Sequence, residues 1–383
     1  MKILHVIPAI SAIYGGPSTA IYTIAKSVLQ QGIKVDVVTT TADGKNNLDV
    51  PLGQRIEKEN IGFYFFHRNI NEWKFSWSLT KWLNNNISNY DIVHIHAIFC
   101  YPIWIASRIA KKYSIPYIIR PAGILDPWCI KQKAIKKKLY YHLIEKKTLQ
   151  NASAIHVTSE LEKSSLNNLG FYHNLHLIQH AVKETIDMCR KSPEEENEMR
   201  FLFLSRLDPK KGLSFLLDAM VIVVKSSPSI RLTIAGEGEP TYINNLLKKI
   251  KKLKLDNYIH LIGFVKDEKK HEVLKQHHVL VLPSLQENFA LCVAEALATG
   301  MPVIVSDQVG LAKEIKKFAA GVVVPVAKTM LLAEAMLSFF AKQRWSLCSK
   351  NAINYANQKL TLNVLGKNLL ELYETIMNKK KCL

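Results

Sequence analysis

Two glutamates eight residues apart, Glu287 and Glu295, carry the clearest chemical signal in the chain, in the stretch VLVLPSLQENFALCVAEALATGMPVIVSD from Val279 to Asp307. VLVLP reads as a buried strand, SLQEN as a polar turn, FALCVAEALATG as a helix closed by glycine, and MPVIVSD as the next strand. Strand, helix and strand within about thirty residues is the size of a parallel βαβ unit. Its polar residues fall where the first strand ends and the helix begins, which is where open α/β sheets take ligands. A helix start offers unpaired N–H groups and a positive dipole end to an anion, and nearby carboxylates accept from hydroxyls. A phosphorylated ligand carrying hydroxyls fits that combination. Taken alone, a turn glutamate and a helix glutamate are more often solvated surface, so cations must come from elsewhere in the chain.

Arg206 and Lys211 supply them. MRFLFLS (Met199–Ser205) reads as a strand, RLDPKKG as a turn and Leu213–Lys225 as a helix, which places both cations at a strand's ligand-binding end. Arginine offers phosphate oxygens a planar fork and lysine a point charge, whereas the bland alternative is surface salt bridging. Gly236-Glu237-Gly238 turns after the strand Arg231–Ala235, and HLIGFV (His260–Val265) forms the next strand, with Phe264 at its end. In the first half, the strand Lys2–Pro8 leads through Tyr14-Gly15-Gly16-Pro17-Ser18 into a helical pattern over Ala20–Leu29. The glycine pair permits close approach of backbone to a ligand, as does any tight turn. DIVHIH (Asp91–His96) sets His94 and His96 on one strand face. No third metal ligand is spaced nearby, so hydrogen-bonded strand histidines are expected, with His96 at the strand end on the rim of a site.

The positioning elements follow from composition and period. A chain of 383 residues, 48% hydrophobic and 22% charged, is globular and exceeds what one core supports, so two domains are expected. Further strands are read at Ile33–Thr40, Gly62–Phe66, Ile115–Arg120, Ala152–Thr158, Leu175–Gln179 and Gly321–Pro325, with 42–60 a polar excursion. KSPEEENE (Lys191–Glu198) reads as the linker. Late helices are expected near Thr329–Lys342, Arg344–Ala356 and Thr361–Met377. Net charge is +19, which favours an anionic partner. Lys131–Lys147 holds seven lysines against one glutamate around an apolar stripe, either a solvated helix face or a patch for an anionic membrane surface. Six scattered cysteines without zinc spacing fit a reducing, cytoplasmic compartment, and the opening MKILHVIPAI reads as a strand and not as a signal peptide. No window of about eighteen residues is apolar enough to span a bilayer. The G-x-G-x-x-G dinucleotide fingerprint is absent. Nucleic-acid binding would explain the charge, but basic-aromatic recognition motifs are missing.

Glu287-x-Phe289-x(5)-Glu295 leading into Ala298-x-Gly300-x-Pro302-Val303 resembles the retaining glycosyltransferases of family 4. The resemblance implies a GT-B fold: two α/β Rossmann-like domains facing across a cleft, with a C-terminal helix returning to the first. The implied boundaries are 1–183 for the acceptor-side domain, 184–358 for the nucleotide-sugar domain and 359–383 for the returning helix. In that family the first glutamate lies by the donor sugar and diphosphate, the second holds the nucleotide ribose, and amides between them meet phosphate. These map to Glu287, to Glu295, and to the amides near Phe289, Ala290 and Leu291. Arg206 and Lys211 match the pair that grips the diphosphate, Gly15 and Gly16 a pair facing it, Gly236 and Gly238 a turn beside the nucleotide, and Phe264 the strand end near the base. Ala290 stands where the family has glycine. An added methyl there is tolerable at negative φ and costly at positive φ.

Pro121-x-Gly123-x-Leu125-Asp126-Pro127-Trp128 before a lysine-rich helix is similar to one branch of family 4, in which histidine occupies position 122 on the reacting-sugar side. Here it is Ala122. His96, Ala122 and Asp126 are the expected acceptor-side positions. The resemblance implies a metal-independent hexosyltransferase with no cofactor beyond its nucleotide diphosphate sugar. Its acceptor would be a glycan or lipid-linked glycan in polysaccharide or lipopolysaccharide synthesis, met by a cytoplasmic protein peripheral to the cytoplasmic membrane face. A catalytically impaired nucleotide-sugar-binding paralogue and a sugar-nucleotide epimerase on the same fold are the alternatives.

Overall fold

The computed structural model describes residues 1–125, 139–183, 192–227 and 229–381. The chain divides into two compact units, Met1–Lys183 with Leu362–Leu383, and Glu184–Thr361.

The first unit is built on β1 (Lys2–Val6), β2 (Lys34–Thr40), β3 (Ala42–Asp43), β4 (Asn46–Asn47), β5 (Ile56–Lys58), β6 (Ile61–Phe66), β7 (Ile92–His96), β8 (Tyr117–Arg120), β9 (Ala154–Val157) and β10 (Leu175–Leu177). Eight of these form one sheet in the order β10-β9-β8-β7-β1-β2-β6-β5, parallel except for β5 on β6. Its central strands are buried on both faces, as their near-continuous apolar runs require. Described helices of this unit are α1 (Gly16–Leu29), α2 (Trp77–Asn86), α3 (Tyr101–Lys112), α4 (Lys146–Gln150) and α5 (Glu160–Asn168). One face of the sheet, including Ile3 and Val37, packs with Ile21 and Ile24 of α1 and with Leu365, Leu369 and Tyr373 from the chain's last described helix. The other face, including Val93 and Ile95, packs with Leu79 and Leu83 of α2 and Ile103 of α3. The stretch 42–60, expected to be irregular, contains the β3–β4 hairpin and β5. Arg68 holds the hairpin by donating to the carbonyls of Gly44 at 2.8 Å, Lys45 at 3.2 Å and Asn46 at 2.5 Å, so a polar sequence keeps its shape without an apolar face. Of the lysine-rich helix expected over 131–147, the first eight residues lie outside the described ones; Tyr141–Glu145 makes a π-helical turn running into α4.

The second unit contains β11 (Met199–Leu204), α6 (Leu213–Ser226), β12 (Ile230–Ala235), α7 (Pro240–Lys252), β13 (Ile259–Gly263), α8 (Asp267–Gln276), β14 (Val279–Leu282), α9 (Leu291–Ala298), β15 (Val303–Ser306), α10 (Ala312–Phe318), β16 (Gly321–Val324), α11 (Thr329–Leu337) and α12 (Lys342–Lys359). All its strand pairs are parallel, in the order β13-β12-β11-β14-β15-β16. Counted from the unit's own first strand this is 3-2-1-4-5-6, the doubly wound Rossmann order. Connections leave β11 and β14 in opposite directions, so the crevice beyond their carboxyl ends is the predicted ligand position. The final helix α13 (Leu362–Lys381) belongs to the first unit, the return expected of the GT-B architecture.

Candidate functional site

The switch point of the second unit gathers the residues singled out for phosphate chemistry. Pro209 and Lys210 lead to Lys211 in a short 3₁₀ turn after β11, capped by the Asp208 carboxylate, which accepts from the Lys210 N–H at 2.8 Å. Lys211 is buried and its Nζ pairs with Oε2 of Glu287 from the loop after β14. Backbone bonds lock these loops together: Leu285 N–H donates to the Lys210 carbonyl at 2.8 Å, Glu287 N–H to Gln308 at 2.9 Å, and Gly310 N–H to Glu287 at 2.9 Å. Arg206, on the loop after β11, is exposed and enters no ion pair among the described residues.

On the other side, Leu207 N–H donates to Glu237 at 2.7 Å and Gly236 N–H to Gly263 at 2.8 Å, joining the loops after β11, β12 and β13. Gly236 and Gly238 are required by this closeness. A Cβ at Gly236 would stand 1.8 Å from the Ser205 carbonyl oxygen, and one at Gly238 2.0 Å from that of Leu207. Phe264 lies just past β13 and is 54% exposed.

Helix α9 begins at Leu291, two residues later than the sequence suggests, because Ala290 caps it at φ 67° and ψ 73°. That is left-handed backbone, so the methyl replacing the family's glycine is the costly case. Phe289 and Ala290 are buried, and the first N–H groups of α9 are ones that no intrahelical bond can satisfy. Glu295, about one turn into α9, is not idle: its Oε1 pairs at 2.6 Å with Lys270 of α8, a residue the sequence reading did not single out. Cys292 lies between Glu287 and Glu295 in the chain. Burial first, then Glu287, push its thiol up to about 12, with Lys211, Glu295 and Lys270 also acting on it.

In the first unit the corresponding switch point lies between β1 and β7. Gly15, at φ 64°, caps α1, Gly16 opens it, and Pro17 takes an early position that needs no N–H partner. Ala97, Phe99 and Ala122, in the loops after β7 and β8, are all left-handed non-glycine residues, at φ 83°, 61° and 56°. Such outliers concentrate at binding sites. The Phe99 N–H donates at 2.7 Å to Glu145, whose burial pushes its carboxyl up to about 7. Asp126 lies outside the described residues.

The expected place of His96 at an open rim needs correction. It is fully buried, because β7 is a central strand covered on both faces. No third ligand is spaced near His94 and His96 along the chain, but in space β1 brings His5 alongside them, and ligand-type atoms of the three come within 4.8 Å of one another. Five of their six nitrogens are nevertheless committed to protein partners, the exception being His5 Nε2, which is buried without a hydrogen-bond partner among the described residues. Arg120 can only donate, so its Nε–H binds His96 Nδ1 at 3.1 Å and His96 Nε2–H donates to His5 Nδ1 at 2.8 Å. The Ile178 carbonyl can only accept. His156 Nε2–H therefore donates to it at 2.9 Å, His94 Nε2–H to His156 Nδ1 at 3.3 Å, and the Tyr373 hydroxyl to His94 Nδ1 at 2.9 Å. The His94 and His96 rings are stacked at 4.5 Å, and the neighbouring Arg120 guanidinium opposes a cation. Burial lowers His5 and His156 to about 3.

Cations, an acid and a helix start stand at the switch point of a 3-2-1-4-5-6 sheet, the arrangement of a Rossmann-like unit with an anion-suited crevice. Residues 14–185 match the family model Glycosyltransferase Family 4 and residues 185–359 that of Glycosyl transferases group 1, which together make the chain a glycosyltransferase with the GT-B fold. Mannosylfructose-phosphate synthase of Agrobacterium fabrum is 24% identical over 94% of this chain and 86% of its own length. Phosphatidyl-myo-inositol mannosyltransferase of Mycobacterium leprae is 26% identical over 46% of each. Among solved structures, Anabaena HepE in complex with UDP and glucose superposes with a TM-score of 0.76 at 18% identity, covering 98% of this chain and all of that one. Sucrose-phosphate synthase of Thermosynechococcus elongatus gives 0.78 at 18% identity, covering 99% and 100%.

Proposed function

We propose that the protein transfers a hexose from a nucleotide diphosphate sugar to a glycan or lipid-linked acceptor with retention of anomeric configuration. The observation that carries this reading is the Lys211–Glu287 pair, which joins the loops after β11 and β14 at the switch point. On transfer the bond from the sugar's anomeric carbon to phosphate oxygen breaks, its electron pair stays with the diphosphate, the acceptor hydroxyl oxygen bonds to that carbon, and the hydroxyl proton passes to the departing diphosphate oxygen. Arg206, Lys211 and the amides of Phe289, Ala290 and Leu291 meet the charge that develops, so the reading needs no metal or other cofactor. Glu287 positions the sugar and diphosphate, Glu295 accepts from the ribose, and Gly15, Gly16, Gly236, Gly238 and Phe264 complete the donor-side surfaces. HepE is described with UDP and UDP-glucose, which makes a uridine nucleotide the first donor to try. A panel of nucleotide sugars scored by thermal stabilisation tests the reading, because a bound ligand raises the melting temperature by mass action. Arg206→Ala is expected to weaken the best donor at least about tenfold, the scale of one charge-assisted phosphate bond; unchanged affinity would count against the assignment.

A second reading, a paralogue that binds the donor but turns it over poorly, is favoured by Ala122. Its left-handed backbone is one that histidine adopts more readily than most residues. Ala122→His should then raise transfer sharply from a low base, and equal rates would dismiss the impairment.

Placement at an anionic membrane face, as polysaccharide or lipopolysaccharide assembly would need, draws on exposed Leu139 and Leu143, one turn apart at 61% and 68%, with Lys146 and Lys147 beside them. Trp77 is 68% exposed, and half-exposed Trp73 packs edge-on against Tyr140 at 4.9 Å. Among the described residues no helix is long and apolar enough to cross a membrane, so the contact would be peripheral. Sedimentation with phosphatidylglycerol vesicles but not phosphatidylcholine vesicles is expected; equal sedimentation with both would remove the anionic element.

A further inference from the structure

The two glutamates of the donor site are clamped in the same way, each at one oxygen, by a lysine from another element. Lys211 takes Oε2 of Glu287 and Lys270 takes Oε1 of Glu295 at 2.6 Å. Glu295 Oε2 makes no hydrogen bond or ion pair with any described residue, and the Glu295 side chain is 24% exposed, so that oxygen is open to a ligand. Lys270 lies in the first turn of α8, where the helix dipole disfavours a cation, so its place there does not serve the helix. Its side chain is only 26% exposed, more sheltered than the solvated pairs that contribute little.

We propose that Lys270 is a positioning residue for the nucleotide: by holding one oxygen of Glu295 it fixes the carboxylate in the rotamer whose other oxygen accepts from the 2′,3′-diol of the ribose. The inference rests on the ribose reading of Glu295 given above and extends it to a residue outside that reading. A carboxylate free to rotate must be ordered when the diol binds. One already clamped loses less freedom and gives more affinity. The ligand class is any nucleoside diphosphate with an intact ribose, whatever its base.

The test is calorimetric titration with UDP, GDP and ADP, each beside its 2′,3′-dideoxy analogue, read on the base that the unaltered protein binds most tightly. Lys270→Met should weaken the ribonucleotide about tenfold and the dideoxynucleotide less than about twofold, while Lys270→Arg should recover most of the loss. In the Glu295→Gln background Lys270→Met should cost nothing further, since a residue acting through Glu295 has nothing left to position. Equal losses for both ligands, no loss for either, or additive losses in the double variant would overturn the proposal. If Glu295→Gln leaves the preference for ribose intact, the ribose reading of Glu295 fails, and the proposal with it. Failure of the unaltered protein to bind any of the three ribonucleotides would instead defeat the nucleotide reading itself.

Discussion

Ala290 shows what a single methyl does at a ligand-facing turn. Left-handed backbone costs an L-residue roughly 1–2 kcal/mol relative to glycine, partly offset by glycine's greater freedom when unfolded. Ala290→Gly is therefore expected to raise the stability of the second unit by about 1 kcal/mol, read as a higher urea midpoint through Trp345, the tryptophan of that unit. A lower midpoint would mean that the turn is not strained. The substitution's position was legible in the sequence, but its cost was not, because the sign of φ at residue 290 depends on how the loop after β14 meets Lys210 and Gln308. Arg206, Lys211 and Glu287 could be singled out because each lies in a polar turn between an apolar strand run and a helical pattern. Lys270 and His5 were not: the first sits among other lysines, and the second belongs to a strand about ninety residues from its partners, beyond the reach of any local pattern.

At the scale of elements, period and turn chemistry sufficed for the parallel strands and for the terminal helix, whose apolar stripe is plain. The hairpin at 42–47 escaped because Arg68, more than twenty residues away, supplies what an apolar face would otherwise provide. The packing of α13 carried a polar component that periodicity could not show. Its Tyr373 is fully buried and donates to His94, the first link of a chain running through His156 to the Ile178 carbonyl. Tyr373→Phe keeps the ring and strands the acceptor His94 Nδ1, a loss of about 1–3 kcal/mol. Thermal unfolding should show it as a lower melting temperature of the first unit, with Trp345 of the second unit unmoved. An unchanged melting temperature would show that α13 is held by its apolar contacts alone.

For the molecule as a whole, acid is the sensitive variable. His5, His94, His96, His156 and His180 are all held below their ordinary value, chiefly by burial and in part by Arg120 and by one another. With folded values depressed, their contribution is complete above the unfolded value of 6.5 and is lost as pH falls towards about 3, at about 1.4 kcal/mol per pH unit for each proton taken up. Glu145, raised to about 7, has the opposite sign, but it is one group against five. The urea midpoint of the first unit should fall steeply between pH 6.5 and 5, while that of the second should move far less; a flat or rising midpoint would refute the buried neutral network. The same unit is also assembled from two distant stretches of chain, Met1–Lys183 and Leu362–Leu383, with Tyr373 supplied by the later one. The first unit therefore lacks that hydroxyl and the leucines beside it until the last twenty or so residues of the chain have joined it. A premature stop just before Leu362 would leave every residue of the second unit in place while the first unit lost the helix that covers one face of its sheet.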